Sequence, residues 1–187
     1  MDSLLKSEMD SSEEVNKAFY SRVVGKCVEI LKDYAFEEDN PCLEGFQAYY
    51  LNKKGLDGLI KATGIVMAQG YSLEESIKYV FIRVFENTWV GFEWEKRAKK
   101  FIKEKYGLES RFANSYEDFK YSVDLIGSNF AIQVKPISYK IGNNPSLTKD
   151  RKKHLQNQKD FESKTGKRVG YVFYNSKTNK LSLEKYK

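Results

Sequence analysis

The sequence predicts a mixed α/β fold: a core with a mixed sheet in the second half of the chain, attached to a helical first half. Two observations lead there. Apolar residues recur at helical spacing through the first half, and β-branched and aromatic runs bounded by turn residues fill much of the second.

The first half reads as helices in series. Ser11 and Glu14 have the spacing of a capping box, and Val15, Phe19, Val23, Cys27, Ile30, Leu31 and Tyr34 follow at helical intervals. EEDNPCLEG breaks that pattern, since Asn40-Pro41 favours a turn. Further helices are expected at about 43–51, 56–68 and 72–87, separated by the glycine-bearing joints GLDG and AQGYS. Phe46, Tyr49, Tyr50, Tyr79, Phe81 and Phe85 read as core, and nothing in this half has catalytic spacing.

In the second half, TWVGFEWEKRAKKFIKEKYG (88–107) predicts a helix with Trp94, Ala98, Phe101 and Ile102 on one face and Gly107 as its stop. Lys96, Arg97, Lys99 and Lys100 form its solvated side, and Glu93 and Glu95 are expected in its first turn, complementing the helix dipole. A short strand at 110–113 precedes two stronger ones, KYSVDLIG (120–127) and FAIQVKPIS (130–138), joined by a Gly-Ser-Asn turn. A polar helix over about 148–163, capped by Thr148 and stopped near Gly166, leads to the strands RVGYVFYN (168–175) and LSLEKY (181–186).

Composition excludes several classes. With 187 residues, 41% hydrophobic and 14% aromatic, the chain supports a packed core. No apolar run approaches the roughly 18–20 residues that cross a bilayer. The acidic start, MDSLLKSEMDSSEE, lacks the basic and apolar parts of an export signal. Cys27 and Cys42 have no zinc-like spacing and read as reduced, partly buried thiols of a cytoplasmic protein. Residues 1–90 hold 10 Lys+Arg against 15 Asp+Glu, a balance of −5, and residues 91–187 hold 22 against 11, a balance of +11. The basic half favours a polyanionic partner.

The chemistry concentrates in YSVDLIGSNFAIQVKPISY, 121–139. Strand alternation points Gln133 and Lys135 the same way, and a tight hairpin brings Asp124 beside them. As a stabilising device a buried Asp–Lys pair is poor, because desolvation cancels much of the attraction. For phosphodiester hydrolysis the same residues make sense. Asp124, the side-chain carbonyl of Gln133 and the main-chain carbonyl of Val134 offer oxygens to a hard divalent cation, while Lys135 orients and helps deprotonate the attacking water. His154, the only histidine, reads as a surface or phosphate-contacting residue, and Tyr139 as packing.

Asp124, eight intervening residues and then Gln133-Val134-Lys135 resembles the bipartite motif of the PD-(D/E)xK nuclease superfamily, whose core order of helix, three strands, helix and strand matches the elements above. Two positions depart from the pattern. Val123 stands where that family has a proline, and Gln133 where it usually has an acid, although Gln-x-Lys variants occur among Mrr-like nucleases. TWVGFEWE, VDLIG and IQVKPISY further resemble type II restriction endonucleases of the MjaI kind, over roughly residues 88–140. The resemblance implies a Mg²⁺-dependent endonuclease, with Mn²⁺ as a substitute, that cuts double-stranded DNA at a short specific site as a homodimer. It also implies a further metal carboxylate from the preceding helix, Glu95 first and Glu93 second. Residues 1–87 then form a helical region for dimerisation and DNA grip, and residues 88–187 the nuclease core. Two alternatives stay open: a repair, recombination or structure-directed DNA nuclease, and a non-catalytic DNA-binding module that keeps the fold.

The segment 138–159 follows the catalytic strand and combines amides with cations. Lys140, Asn143, Asn144, Lys149, Arg151, Lys152 and Lys153 are its expected contacts to base edges and phosphates.

Overall fold

The computed structural model describes the backbone of residues 3–20, 23, 24, 26–141 and 145–184. Asn143 and Asn144 lie outside the described residues. The chain divides into two compact units, 1–90 and 91–187.

The first unit is helical. Ser12, not Ser11, is the capping side chain: its Oγ accepts the N–H of Val15 at 3.3 Å, so α1 (Ser3–Ser11) and α2 (Glu13–Tyr20) are separate helices. α3 (Cys27–Glu37), α4 (Leu43–Lys54), α5 (Asp57–Met67) and α6 (Leu73–Phe81) follow near the expected spans, and Ser72 and Glu75 close a reciprocal capping box at the start of α6. Phe46, Tyr50, Tyr79 and Phe85 are buried, with Phe85 edge-on to Tyr50 at 5.2 Å and to Phe46 at 5.7 Å. Two expectations fail here. Phe81 is 40% exposed, because the π-helical turn Ile82–Glu86 inserts an extra residue per turn and carries Phe85 inward while Phe81 stays at the rim. Cys42 is exposed, because it caps α4, its Sγ accepting the Gly45 N–H at 3.3 Å.

The second unit is built on a five-stranded mixed sheet of order β1-β2-β3-β4-β5. α7 (Asn87–Tyr106) leads to β1 (Ser110–Phe112), α8 (Ser115–Tyr121), β2 (Leu125–Gly127), β3 (Phe130–Pro136), α9 (Ile137–Ile141), α10 (Pro145–Thr165), β4 (Arg168–Asn175) and β5 (Lys180–Glu184). β3 and β4 run parallel with α9 and α10 between them, and the other pairs are antiparallel. Gly127 closes the β2–β3 turn because a Cβ there would fall 2.1 Å from the ring of Phe130. Gly166, at φ +70°, ends α10 in the left-handed conformation that favours glycine.

Three boundaries differ from the sequence reading. The strand expected at 120–127 is cut short by α8. Asn114 and Glu117 form a reciprocal capping box that commits 115–121 to helix despite their aromatic content. The strand expected to reach 138 stops at Pro136, and α9 begins there. α10 starts at Pro145, upstream of Thr148, using a proline where the helical N–H has no partner anyway.

Register fixes the layers. Phe112, Leu125 and Ile132 are paired across β1, β2 and β3 and so share a face, to which Ile132's partner Gly170, and hence Val172 and Tyr174, also belong. α7 covers that face, with Phe92 4.8 Å from Phe112 and Trp94 stacked on Tyr174 at 4.4 Å and 7°. The opposite face carries Ile126, Ala131 and Val169 and packs on Phe161 of α10.

Candidate active site

The site begins where β2 leaves β3. Within the pair, the Asp124 N–H donates to Ile132 O at 2.8 Å, and Asp124 O accepts from the Ala113 N–H at 2.8 Å, so the Asp124 backbone is held from both sides. Ile132 turns its N–H and C=O toward β2, and in an extended strand Val134 does the same. Upstream of Asp124, however, the chain bends away into α8. The Val134 N–H therefore bonds the Asp124 side chain instead, donating to Oδ2 at 2.8 Å. The Val134 carbonyl is directed into the same fork. Asp124 is 5% exposed, so this carboxylate is fixed by the sheet itself.

Gln133 and Lys135 lie on the α10 side of β3. Gln133 is 2% exposed and belongs to a buried amide chain. Gln158 of α10 donates from Nε2 to Gln133 Oε1 at 2.9 Å and to Ser122 O at 3.0 Å, and its Oε1 accepts the Tyr171 hydroxyl at 2.7 Å. An amide suits this depth, where an ionised carboxylate without a bound cation would carry a steep desolvation cost. Lys135, two residues on, is half-buried near the strand end.

Of the two readings of His154, surface or phosphate-contacting, the first gives way to partial burial. It is half-buried, its Nδ1 lies 3.1 Å from the Tyr139 hydroxyl, and its ring stacks on Tyr139 at 23°. Burial first, and then the charge of Lys135, hold its imidazole below the ordinary value of 6.5, while Asp150 and Asp124 pull the other way. The histidine is thus in the field of both Lys135 and Asp124.

The two expected carboxylates of the preceding helix, Glu93 and Glu95, lie on α7. The helix begins at Asn87, so neither Glu93 nor Glu95 is in its first turn, and the dipole does not account for them. Glu93 is taken up by Lys96 at 3.0 Å, one turn along the helix surface. Glu95 acts elsewhere. The Tyr174 phenol is pushed up by burial first and then by the charges of Glu95 and Asp124. Tyr174 is itself held by its stack on Trp94, over which Arg97 lies at 4.8 Å.

The expected DNA contacts divide. Lys149, Lys152 and Lys153 are exposed on α10. Arg151 turns inward, donating to Tyr139 O with its guanidinium 5.1 Å over the Tyr139 ring, and so holds α9 against α10. Lys140 is exposed and ion-paired with Glu184. Tyr139 packs in a buried cluster with Tyr171 and Phe173, as expected.

Sequence reasoning missed Gln158, Ser122, Tyr171 and Tyr174. The parallel β3–β4 register, which sets Gln133 beside Tyr171 and Pro136 beside Tyr174, brings the two tyrosines to the motif, and packing of α10 brings Gln158 onto Gln133 and Ser122.

A helix on each face of a mixed sheet, with the charged residues at the C-terminal end of its parallel strands, is a restriction-endonuclease-like α/β fold. The model of the MjaI restriction endonuclease family matches residues 14–184. The chain belongs to that family, and with it to the type II restriction-type DNA nucleases, with DNA as substrate. No curated protein and no solved structure matches it. Among the described residues, no helix is long and apolar enough to cross a membrane.

Proposed function

We propose that the chain is a Mg²⁺-dependent endonuclease of the PD-(D/E)xK type, hydrolysing phosphodiester bonds of double-stranded DNA at a short specific site. The observation that carries this reading is the Asp124–Val134 bond, which holds a buried carboxylate against the strand that carries Gln133 and Lys135. The donors there are hard oxygens, and they fit Mg²⁺ or Mn²⁺. No group of three or more His, Cys, Asp or Glu among the described residues could hold a metal ion. A cation here would draw on Asp124, the Val134 carbonyl, the Gln133 amide and Glu95, with phosphate oxygens of DNA completing its shell. When bound, it supplies positive charge to the phosphate and lowers the pKa of a nearby water.

The protein residues do the rest. Asp124, fixed by the Val134 N–H, holds its carboxylate oxygens at the fork without reorganisation. Lys135 Nζ holds the attacking water and the scissile phosphate in line and helps move the water's proton away. The amide chain from Tyr171 through Gln158 to Gln133 fixes the strand that carries both. Lys149, Lys152 and Lys153 grip phosphates, as do Lys140 and the segment with Asn143 and Asn144. The helical N-terminal region pairs two copies, so that a homodimer cuts both strands.

The test is incubation with long duplex DNA, in Mg²⁺ and in EDTA, beside Asp124→Ala and Lys135→Ala. Discrete fragments that need Mg²⁺, Asp124 and Lys135 are expected. A smear with the same dependences would instead favour a structure-directed or repair nuclease. Intact but gel-shifted DNA would favour a binding module.

A further inference from the structure

α8 presents two large rings to solvent: Phe119 is 71% exposed and Tyr116 57%. Cations gather on this strip. Lys153 of α10 lies 5.8 Å from the Phe119 ring centre, Lys120 4.9 Å from that of Tyr116, and Lys164 of α10 5.8 Å from that of Tyr121. All three lysines are exposed. Of the two carboxylates of α8, Glu117 and Asp118, the first is drawn off by Arg111 through two bonds of 2.7 Å. The strip also borders the fork. Ser122, just after α8, accepts bonds from Asn157 and Gln158 of α10, and Asp124 follows two residues later.

We infer that the seam between α8 and α10 is a duplex-DNA contact surface, on which Lys120, Lys153 and Lys164 take backbone phosphates and the Phe119 ring enters the groove between them. The inference rests on the nuclease reading of the fork. Charge complementarity selects the occupant, because a row of exposed ammonium groups answers a polyanion. The apolar ring selects further: phosphates have no use for it, whereas bases and sugars pack on it, and apolar wedges of this kind enter DNA grooves. Cation–ring contacts at exposed positions are weak and give way readily to phosphate.

The experiment is a fluorescence-anisotropy titration of a labelled duplex in EDTA, where binding is read without cleavage. Phe119→Ala is expected to weaken binding about tenfold with its salt dependence unchanged, since no phosphate contact is lost. The double variant Lys120→Ala/Lys164→Ala is expected to lower the slope of log affinity against log salt by about two. If wild type binds and cuts duplex DNA and Phe119→Ala matches it in both, the surface is overturned and the fork's assignment stands. A wild-type chain that binds no duplex overturns both readings. If Phe119→Ala leaves DNA affinity unchanged but alters the sedimentation coefficient, the strip belongs to a second copy of the chain and the inference falls. Circular dichroism checks that this exposed substitution leaves the fold intact.

Discussion

The Asp124 carboxylate accepts the main-chain N–H of Val134 at 2.8 Å and so completes, with a side chain, the rung that β2 no longer supplies. One residue closes the sheet at the fork and places charge there, and substitution separates the two duties. Asp124→Asn keeps an oxygen for the Val134 N–H but removes the charge. We expect stability within about 1 kcal/mol of wild type and cleavage reduced by about 10²-fold or more. Asp124→Ala also orphans the buried N–H, at a further cost of about 1–3 kcal/mol. Denaturant unfolding alongside single-turnover cleavage reads both quantities, and an Asn variant that cuts normally would show that charge at the fork is dispensable.

The two glutamates of α7 give a paired test. Glu93 is occupied by Lys96 on the helix surface, so Glu93→Gln is expected to change cleavage less than about twofold. Glu95→Gln removes a carboxylate whose field meets that of Asp124 at Tyr174, and is expected to reduce cleavage at least about tenfold and to raise the Mg²⁺ concentration needed for half-activity. Equal effects from the two variants would remove Glu95 from the site.

The buried amide chain predicts a response to pH. Gln158→Leu strips partners from Ser122 O, Gln133 Oε1 and the Tyr171 hydroxyl, and is expected to cost about 2–4 kcal/mol. Gln158→Glu sets an acceptor against two acceptors unless its carboxyl is protonated, so its folded pKa should rise above the ordinary value of about 4.3. The protonated form is then the better folded partner. Its stability deficit should be smallest in acid and grow as pH rises through the raised folded value. Thermal melts across pH would show this, and a deficit independent of pH would contradict the hydrogen-bond assignment.

His154 has the opposite sign. Its folded value lies below the ordinary 6.5, so the unfolded chain binds the extra proton. Stability is expected to be full above 6.5 and to be lost as pH falls from there toward the depressed folded value. His154→Gln, which can still meet the Tyr139 hydroxyl, should show a shallower fall in melting temperature over that window. Parallel wild-type and variant curves would place the pH dependence elsewhere.

Much of this was legible in the chain. The helix at 87–106, the β1 position, the hairpin turn, α10 and the span of β4 follow from periodicity and punctuation, because these segments are long or flanked by strong turn residues. α8 was missed although Asn114 and Glu117 carry its capping box in plain sequence, because the aromatic content of the neighbouring run favoured strand. The surface reading of His154 failed for a different reason: burial of one residue on a polar helix depends on what packs against it, here Tyr139 from α9.

The sequence by itself determined the order of the five strands, the charge division and the Asp124…Gln133-Val134-Lys135 spacing, which are properties of local pattern and composition. Only the tertiary structure decided which groups meet there. The parallel pairing of β3 with β4 brought Tyr171 and Tyr174 alongside, α10 supplied Gln158 and His154, and α7 engaged Glu93 with Lys96. These partners come from elements far apart in the chain, and packing of two helices on opposite faces of one sheet, which no local signal encodes, is what brings them to the same end of it.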